Sequence, residues 1–337
     1  MLAAVVPALG APLEIRDVPI PDPGPGQVLV RIETSGLCHT DIHAARGEWP
    51  VTPKDQLIPG HEGVGIVEAV GSGDLPVGLG QRVALPWLGH ACGHCRYCVD
   101  GWETYCLSPS YMGYTMDGSY AEYAVAWASH VVPVPDGVEP IDASPLTCAG
   151  VTTYKALKVA RPQPGETCMV VGIGGLGHLG LQYARIFGSR TVAVDVHADK
   201  LELASSLGAD HVVDAAEAED GALGVAGGVD VALVTVPSPA AMRAAHAALN
   251  PNGRLVLVGL PADNRLELPV FETVLKGISV IGSLVGTRSD LATVFDLHAR
   301  GLTRVVTETR RLEDVNTCFE EVLAGAVPAR LVFDFRS

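Results

Sequence analysis

The 337-residue sequence predicts an α/β protein with two domains: a β-rich domain of antiparallel, barrel-like character and a doubly wound parallel sheet. Two observations carry this prediction. In residues 1–147, short β-branched runs are punctuated by Gly and Pro, which is typical of antiparallel strands joined by long loops. In residues 148–289, strands alternate with helical stretches, which indicates right-handed βαβ units.

The strands and helices can be placed along both domains. The strands predicted in the first domain are Val28–Gly36, Gly63–Gly71 and Arg82–Trp87. Those predicted in the second are Thr167–Gly175, which runs into a glycine turn, Thr191–Val196, Val229–Val236, Arg254–Leu260 and Ser279–Gly286. Residues 290–337 hold helices at Asp290–Arg300 and Val315–Ala324 and a last strand at 329–335. We expect this tail to return to the first domain and complete it.

Composition excludes several classes of protein. Asp and Glu outnumber Lys and Arg by 38 to 23, so the formal charge of −15 argues against a surface for nucleic acid. The first residues lack the basic and apolar regions of a signal peptide, and no apolar run reaches membrane-spanning length. We therefore expect a cytoplasmic protein that spans no membrane. In such a protein the eight cysteines favour metal or catalytic sites over disulfides.

One loop carries four cysteines at metal-ligand spacing: Cys92, Cys95, Cys98 and Cys106. Zinc prefers tetrahedral thiolate ligation, and a shell of four thiolates leaves no open position for chemistry. The pattern therefore predicts a structural zinc site. An iron–sulfur cluster also uses short cysteine spacings, and a chance group of buried or disulfide-bonded cysteines is the plainest alternative.

A second set of ligand types is spread along the chain. Cys38, His61 and Cys148 together would form a Cys₂His shell with one open position, as in catalytic zinc sites. Each residue taken alone has a simpler explanation, since free cysteines and single histidines are common in protein cores. Sequence spacing by itself leaves these readings open.

The turn Gly172-Ile173-Gly174-Gly175-Leu176-Gly177 fits the dinucleotide fingerprint G-x-G-x-x-G. It follows a predicted strand and opens a helix, and Asp195 ends the next strand, where a carboxylate binds a ribose 2′-hydroxyl. The same carboxylate would repel a 2′-phosphate, which favours NAD over NADP. Lys200 suits either a contact with the adenosine ribose or a solvated position at a helix start.

These motifs together resemble the zinc-containing alcohol dehydrogenases of the medium-chain dehydrogenase/reductase family, most closely the tetrameric ethanol-type branch. The matching stretches span most of the chain in the family's order. They are GLCHTDIHAARGEWP, IPGHEGVGIV, PWLGHACGHCRYC, DGSYAEY, LTCAGVTTYKAL, VGIGGLGHLG and VAVDVHADKLELA. The resemblance implies a GroES-like catalytic domain followed by a Rossmann NAD-binding domain, two zinc ions per chain and a homotetramer.

The resemblance also implies roles for individual residues. Cys38, His61 and Cys148 match the catalytic zinc ligands, with Glu62 as a carboxylate that can approach the metal and Asp41 as the acid that orients the histidine. Thr40 and His43 match a proton relay, and Trp49 and Trp87 match the walls of a narrow alcohol pocket, although core packing explains both tryptophans equally simply. Positions matching cofactor contacts outside the fingerprint are His39, Thr152, Asp195, Lys200, Val258, Leu284 and Arg330.

The implied reaction is the reversible oxidation of primary or small secondary alcohols to aldehydes or ketones, with hydride transfer to NAD. Leu284 departs from the larger or different side chain that relatives carry, which leaves the preferred chain length open. Alternatives are a zinc dehydrogenase for aromatic alcohols, polyols or formaldehyde adducts, and a non-catalytic NADH-sensing module. A surface position is the alternative for Arg330. Cys168 and Cys318 match no ligand position and are expected to be buried thiols.

Overall fold

The computed structural model describes residues 1–216, 225 and 227–336. The chain forms two compact units, with unit 1 made of 1–148, 286–300 and 306–337 and unit 2 made of 149–285 and 301–305. Of the helices in the described ranges, none has the length and apolar character that crossing a bilayer requires.

The strands are named in chain order. They are β1 (Leu2–Val5), β2 (Glu14–Asp17), β3 (Gln27–Leu37), β4 (Gly63–Val70), β5 (Arg82–Leu85), β6 (Leu88–His90), β7 (Ser110–Tyr111), β8 (Tyr123–Trp127), β9 (Val132–Pro133), β10 (Thr167–Val171), β11 (Arg190–Asp195), β12 (His211–Asp214), β13 (Val229–Val234), β14 (Leu249–Leu257), β15 (Ser279–Gly282), β16 (Thr307–Arg310) and β17 (Arg330–Asp334).

The helices follow the same numbering. They are α1 (His39–Arg46), α2 (Arg96–Val99), α3 (Pro140–Pro145), α4 (Val151–Ala160), α5 (Gly177–Ile186), α6 (Ala198–Ser206), α7 (Pro239–Ala247), α8 (Val270–Lys276), α9 (Arg288–Ala299) and α10 (Val315–Leu323). Short 3₁₀ helices cover Glu103–Tyr105 and Leu312–Asp314, and one π-helical turn covers Leu146–Gly150.

Unit 1 is built on a largely antiparallel sheet in the order β16-β17-β3-β4-β5-β9, with β8 also paired to β3. The long strand β3 joins the two halves of this sheet because it pairs with β17 from the tail and with β4 from the body. Its apolar side packs with β4, β5 and β8 into a core that includes Val28, Val30, Val67 and Val83. The tail thus contributes two strands to the sheet of unit 1, β16 at the edge and β17 beside β3.

Unit 2 holds a six-stranded sheet in the order β12-β11-β10-β13-β14-β15, and every neighbouring pair is parallel. This is the doubly wound order, in which the chain reverses direction across the sheet between β10 and β13. The buried runs of β10, β13 and β14 form the core with Met169, Ala232 and Leu255. The carboxyl ends of β10 and β11 carry the predicted fingerprint turn and Asp195.

The predicted elements correspond to observed ones, but some ends differ: β14 begins at Leu249 and not at Arg254, and β15 ends at Gly282 and not at Gly286. The sequence reading did not identify β12, whose four residues are all exposed or half-buried and give no continuous apolar run, nor the short strands β1, β2, β6, β7, β8, β9 and β16. It also missed that Cys148 lies in a π-helical turn between α3 and α4. Such turns are rare within helices and often occur at functional sites.

Candidate active site and metal centres

The four-cysteine loop brings its thiols together within unit 1. The four sulfur atoms lie within 4.8 Å of one another, with Cys95 and Cys98 3.6 Å apart and Cys92 and Cys98 4.0 Å apart. A tetrahedral zinc ion with Zn–S bonds of about 2.3 Å requires S–S separations of about 3.8 Å. The observed spacing therefore fits one ion. A multi-iron cluster binds its thiolates to different irons and would hold them further apart, and all four cysteines are free thiols.

Backbone amides favour negative charge on some of these sulfur atoms, whereas burial raises the pKa of the Cys98 thiol to about 12. The Cys92 amide donates to Cys106 Sγ at 3.2 Å, and the Cys95 amide donates to Cys92 Sγ at 3.3 Å. A hydrogen bond with the backbone at Cys98 lowers the pKa of the Cys95 thiol to about 6. Since zinc binds thiolates rather than thiols, this arrangement favours metal binding.

The loop has little core of its own. Its buried cluster consists of Leu88, Ala91 and Cys106, with the other three cysteines and Tyr111 packed against it. Two polar contacts attach the loop to the rest of unit 1. His130 Nε2 accepts from the Ala91 amide at 2.9 Å, and Glu103 forms a two-pronged ion pair with the Arg288 guanidinium, both carboxylate oxygens lying 3.0 Å from Nε.

Replacing Cys95 by Ser should remove the ion at this loop and unfold the loop locally. Because few apolar contacts hold the loop, we expect a loss of unfolding free energy of about 3–5 kcal/mol and zinc content reduced by one ion per chain. Metal analysis, thermal unfolding and limited proteolysis would measure this. Cys318→Ser, at a buried thiol that is no ligand, is the matched control. A stable Cys95→Ser protein with its zinc content unchanged would refute the assignment.

His130 should make the stability of the loop depend on pH. Burial, with help from Arg288, lowers the pKa of His130 from 6.5 to about 4. As pH falls, His130 therefore takes up a proton in the unfolded chain at a higher pH than in the folded protein. The stability that neutral His130 contributes to the folded protein is complete above pH 6.5 and is lost as pH falls towards 4. Over that range we expect the wild type to lose about 1–3 kcal/mol relative to His130→Gln, which keeps an acceptor but does not titrate. Denaturant unfolding of both proteins at several pH values measures the difference, and parallel curves would contradict it.

The second predicted ligand set also comes together in unit 1. Ligand atoms of Cys38, His61, Glu62 and Cys148 all lie within 4.8 Å of one another, and all four residues are buried. His61 Nε2 is 3.3 Å from Cys148 Sγ, close to the separation of about 3.6 Å expected for nitrogen and sulfur ligands of one tetrahedral zinc. Soft sulfur and imidazole donors select zinc over magnesium or calcium.

Asp41 is the centre of the hydrogen bonds that fix this cluster. Its carboxylate accepts from His61 Nδ1 at 2.8 Å, the Cys38 amide at 2.9 Å, the Tyr120 hydroxyl at 2.9 Å and the Gly60 amide at 3.2 Å. Binding of Nδ1 by a carboxylate leaves Nε2 as the metal-binding nitrogen of His61. Asp41 thus binds the His61 ring at the nitrogen that does not bind metal and fixes the orientation of the ring. Sequence reasoning missed Tyr120, although it lies in the quoted stretch DGSYAEY.

The charges of the cluster are strongly coupled. A hydrogen bond between the two thiols lowers the pKa of Cys38 and raises that of Cys148. Burial acts to lower the pKa of His61, but Asp41 outweighs it and the pKa is raised. Burial raises the pKa of Glu62 to about 7 against the opposing effect of Arg330. These shifts reflect several titratable donors confined in one buried space, which is typical of a functional site.

Arg330 is buried, so the surface alternative for this residue is wrong. Its guanidinium pairs with Glu62 Oε1. The other Glu62 oxygen, Oε2, is buried with no hydrogen-bond partner among the described residues. A buried carboxylate oxygen without a partner is costly, and a cation beside it would satisfy it. The donor set therefore fits a zinc ion.

Helix α1 carries the predicted relay residues directly after Cys38. Thr40 and His43 are three residues apart, which places them on the same side of the helix. His43 Nδ1 lies 2.5 Å from Glu48 Oε2, a contact that sequence reasoning missed. His39, at the first position of α1, is exposed.

Aromatic rings surround the cluster on one side. Trp87 meets the His61 ring edge-on at 5.2 Å, and Trp49 lies 6.1 Å from Trp87 and 5.5 Å from the His43 ring. Tyr111 stacks on Trp87, and Tyr114 packs against both tryptophans. Trp49 thus contacts His43, and Trp87 contacts His61. Tyr111 and Tyr114 are further wall residues that the sequence reading did not identify.

The fingerprint turn in unit 2 has the geometry its glycines predict. Gly172 has φ +89, and a Cβ at Gly177 would lie 1.7 Å from the carbonyl oxygen of Gly172, so the turn requires glycine at both positions. A Cβ at Gly174, in contrast, would meet nothing within 4 Å. Gly174 therefore leaves open space beside the turn, as close approach of a pyrophosphate demands. Gly175 and Leu176 complete the turn before α5 begins at Gly177.

Asp195 ends β11 beside this turn. Its carboxylate accepts from the backbone amides of Ile173, Val196 and His197 at 2.7, 2.8 and 3.1 Å. Three amides thus fix the carboxylate, and a carboxylate has about four acceptor sites, which leaves capacity for a ligand hydroxyl. Lys200 is buried, so the solvated alternative for it is wrong.

The remaining predicted cofactor positions lie in or beside unit 2 elements. Thr152 is in α4, and its buried hydroxyl has no hydrogen-bond partner among the described residues. Val258 follows β14 at the carboxyl edge of the sheet, and Leu284 follows β15 and is exposed. Cys168 and Cys318 are buried thiols, as predicted.

Comparison with known proteins gives consistent matches over the whole chain. Residues 24–136 match the alcohol dehydrogenase GroES-like domain, and residues 175–300 match the zinc-binding dehydrogenase family. An alcohol dehydrogenase of Geobacillus stearothermophilus is 48% identical over 335 residues, covering 98% of this chain and 99% of that protein. The crystal structure of the alcohol dehydrogenase from Aeropyrum pernix matches with a TM-score of 0.92 at 33% identity, covering 99% and 100% of the two chains. Acetophenone reductase from Geotrichum candidum, solved in complex with NAD, matches with a TM-score of 0.90 at 31% identity, covering 99% and 97%.

The fold and the two cysteine-containing clusters define a zinc-binding dehydrogenase with a GroES-like domain and a Rossmann domain. The chain belongs to the zinc-containing alcohol dehydrogenases of the medium-chain dehydrogenase/reductase family. This membership confirms the predicted fold class, the predicted enzyme class of NAD-dependent alcohol dehydrogenase and the predicted cofactors, NAD and zinc.

Proposed function

We propose that this chain catalyses the reversible oxidation of primary or small secondary alcohols to aldehydes or ketones, with one zinc ion held by Cys38, His61 and Cys148. The observation that carries this proposal is the convergence of these three residues and Glu62, from three segments far apart in the sequence, next to the helix that bears Thr40 and His43. When bound, zinc supplies Lewis-acid polarisation of the substrate oxygen, and NAD accepts the hydride.

The residues of unit 1 perform the proton chemistry. Thr40 can accept and donate a proton at one hydroxyl, and His43 can take up a proton at a ring nitrogen and release it to solvent. Asp41 keeps the His61 ring oriented so that its metal-binding nitrogen stays fixed. Trp49 and Trp87 exclude water from the reacting groups and restrict the width of the alcohol pocket.

The second zinc ion, at Cys92, Cys95, Cys98 and Cys106, is structural in this proposal because four thiolates leave no open position. We assign most of the NAD-binding residues to unit 2 and both zinc sites to unit 1. Gly172, Gly174, Gly175, Leu176 and Gly177 form the pyrophosphate turn, and Asp195 and Lys200 hold the adenosine ribose. His39, Thr152, Val258, Leu284 and Arg330 complete the cofactor contacts. For Arg330 the assignment requires that its guanidinium serve the cofactor phosphate in addition to Glu62.

We further propose a homotetramer that works in the cytoplasm, where thiolate ligands stay reduced. Support for self-assembly comes from α8, on which Val270, Phe271, Val274 and Leu275 are 70–78% exposed. Monomeric proteins rarely expose contiguous apolar patches of this kind. Sedimentation analysis would measure the assembly directly, and a monomer at micromolar concentration would contradict this part of the proposal.

Steady-state kinetics on a graded panel of alcohols and aldehydes, each with NAD and NADP, tests the function. We expect the highest kcat/KM with small alcohols and NAD. A preference of orders of magnitude for a bulky aromatic alcohol, a polyol or a formaldehyde adduct would replace the substrate class. A non-catalytic NADH-sensing module would bind NADH, lack turnover and contain one zinc ion per chain.

A further inference from the structure

His43 contacts the side chain of Glu48, which has no part in the mechanism proposed above. Its Nδ1 lies 2.5 Å from Glu48 Oε2, and the side chains of His43 and Glu48 are 30% and 43% exposed. A half-exposed histidine would normally be mobile and free to adopt either neutral tautomer. Here a carboxylate engages one specific nitrogen of the ring.

The backbone turn that ends α1 places Glu48 in this position. Gly47 adopts φ 67, its amide donates to the Ala44 carbonyl at 3.3 Å, and the Glu48 amide donates to the His43 carbonyl at 3.1 Å. These are the two hydrogen bonds of a Schellman motif. The turn folds residue 48 back onto residue 43, and it depends on Gly47 and not on the Glu48 side chain. A substitution at Glu48 therefore leaves the turn intact.

Other groups define the surroundings of the ring. Trp49, the next residue after Glu48, stacks on the imidazole at 5.5 Å with an angle of 28° between the planes. The His39 ring is 6.5 Å away. The second Glu48 oxygen faces Arg46 at 3.8 Å, and Arg46 in turn faces Glu320 of α10 at 3.7 Å. Trp49 thus fixes the plane of the ring and Glu48 fixes its Nδ1 edge, which leaves Nε2 as the nitrogen able to receive a proton.

We propose that Glu48 is the positioning residue of the proton relay: its carboxylate accepts the Nδ1–H of His43, selects the tautomer with Nε2 unprotonated and stabilises the imidazolium that forms when a proton arrives. This inference rests on the proposed role of His43. A carboxylate that orients a histidine in this way is an established device for making imidazole a better base. Glu48 adds no chemical step. It makes His43 a better proton acceptor in the relay.

The central experiment compares Glu48→Gln with the wild type in single-turnover oxidation of an alcohol, followed by NADH absorbance. We expect Glu48→Gln to lower the rate by about 3–10-fold, a moderate loss because the pair is partly solvated. The acid limb of the pH–rate profile should move to lower pH, because the protonated ring loses its carboxylate. NADH affinity and zinc content should stay as in the wild type.

Two further variants separate positioning from a general structural effect. Glu48→Asp keeps the charge and should recover most of the rate, whereas Glu320→Gln removes a carboxylate from the other side of Arg46 and should match the wild type. A readout independent of turnover is modification of His43 by diethyl pyrocarbonate in cofactor-free protein, quantified by peptide mass spectrometry. Since only neutral imidazole reacts, the modification should reach its plateau at lower pH in Glu48→Gln.

Equal rates and superimposable pH profiles for Glu48→Gln and the wild type would overturn the inference. So would equal losses in Glu48→Gln and Glu48→Asp, since a carboxylate effect must be restored by a carboxylate. A wild-type protein without alcohol turnover would instead refute the proposed function, and the modification experiment would still decide whether Glu48 controls the protonation of His43.

Discussion

Cys38→Ser is expected to lower kcat/KM for alcohol oxidation by at least about 10³-fold, because a Lewis acid at the substrate oxygen contributes several kcal/mol to the transition state. Cys38 directly follows β3, with its amide bound to Asp41 and its side chain among the other ligands. A serine hydroxyl fits this space but is a poor zinc ligand. The variant should therefore fold and lose one zinc ion per chain.

The same variant should keep its affinity for NADH within about threefold, because the assigned nucleotide residues of unit 2 are untouched. Fluorescence titration with NADH and metal analysis on the purified variant check both statements. Cys168→Ser, at a buried thiol in β10, is the matched control and should keep both zinc ions and most of the activity. Near wild-type turnover in Cys38→Ser protein that demonstrably lacks the ion would refute the catalytic role of this cluster.

Gly174→Ala is expected to weaken NADH binding by about 10–100-fold while the unfolding free energy changes by less than about 0.5 kcal/mol. The reason is that a Cβ at this position meets nothing in the protein within 4 Å, so any penalty comes from the ligand. Gly177→Ala should behave differently. Its Cβ would lie 1.7 Å from the Gly172 carbonyl oxygen, so the turn must shift and stability must fall along with NADH binding.

Gly78→Ala is the control for this pair, because its Cβ also meets nothing within 4 Å and the residue belongs to unit 1, whereas the turn belongs to unit 2. It should leave both NADH affinity and stability unchanged. Titration calorimetry with NADH and thermal unfolding of the three cofactor-free variants provide the measurements. Wild-type NADH affinity in Gly174→Ala would show that the pyrophosphate does not approach this turn.

The four-cysteine site and the fingerprint turn were predictable from the sequence because the residues that form each of them are close together in the chain. The four cysteines between Cys92 and Cys106 fix a ligand set and a geometry by themselves. The fingerprint turn was recognisable because strand, glycines, helix and Asp195 follow one another in order. In both cases short-range spacing determines which groups can meet.

The second metal cluster was not predictable from spacing alone, because its members meet only through tertiary structure. His61 and Cys148 are 87 residues apart, and the Glu62–Arg330 pair spans 268 residues. Resemblance to a family indicated which residues are the zinc ligands. It did not indicate the pairing of Arg330 with Glu62 or the hydrogen bond from Tyr120 to Asp41. These contacts depend on how β17, β3 and the loop before β8 assemble, which no local pattern encodes.

Glu48 is an intermediate case. A glycine that ends a helix signals a Schellman turn, and such a turn returns the following residue to the last helical turn. Gly47 carried this signal, but the helix before it was not predicted from the sequence, so only the structure revealed the contact of 2.5 Å between His43 and Glu48. Similarly, the buried position of Lys200 could not be inferred from its place near a helix start.

The most direct test of the central claim measures activity as a function of zinc content in the wild-type protein. Chelation that reduces zinc from two ions per chain to one, with the ion at the four-cysteine loop retained, should abolish alcohol oxidation while NADH still binds. Returning zinc should restore activity in proportion to occupancy of the second site. Full turnover in protein shown to hold zinc only at Cys92, Cys95, Cys98 and Cys106 would contradict the account.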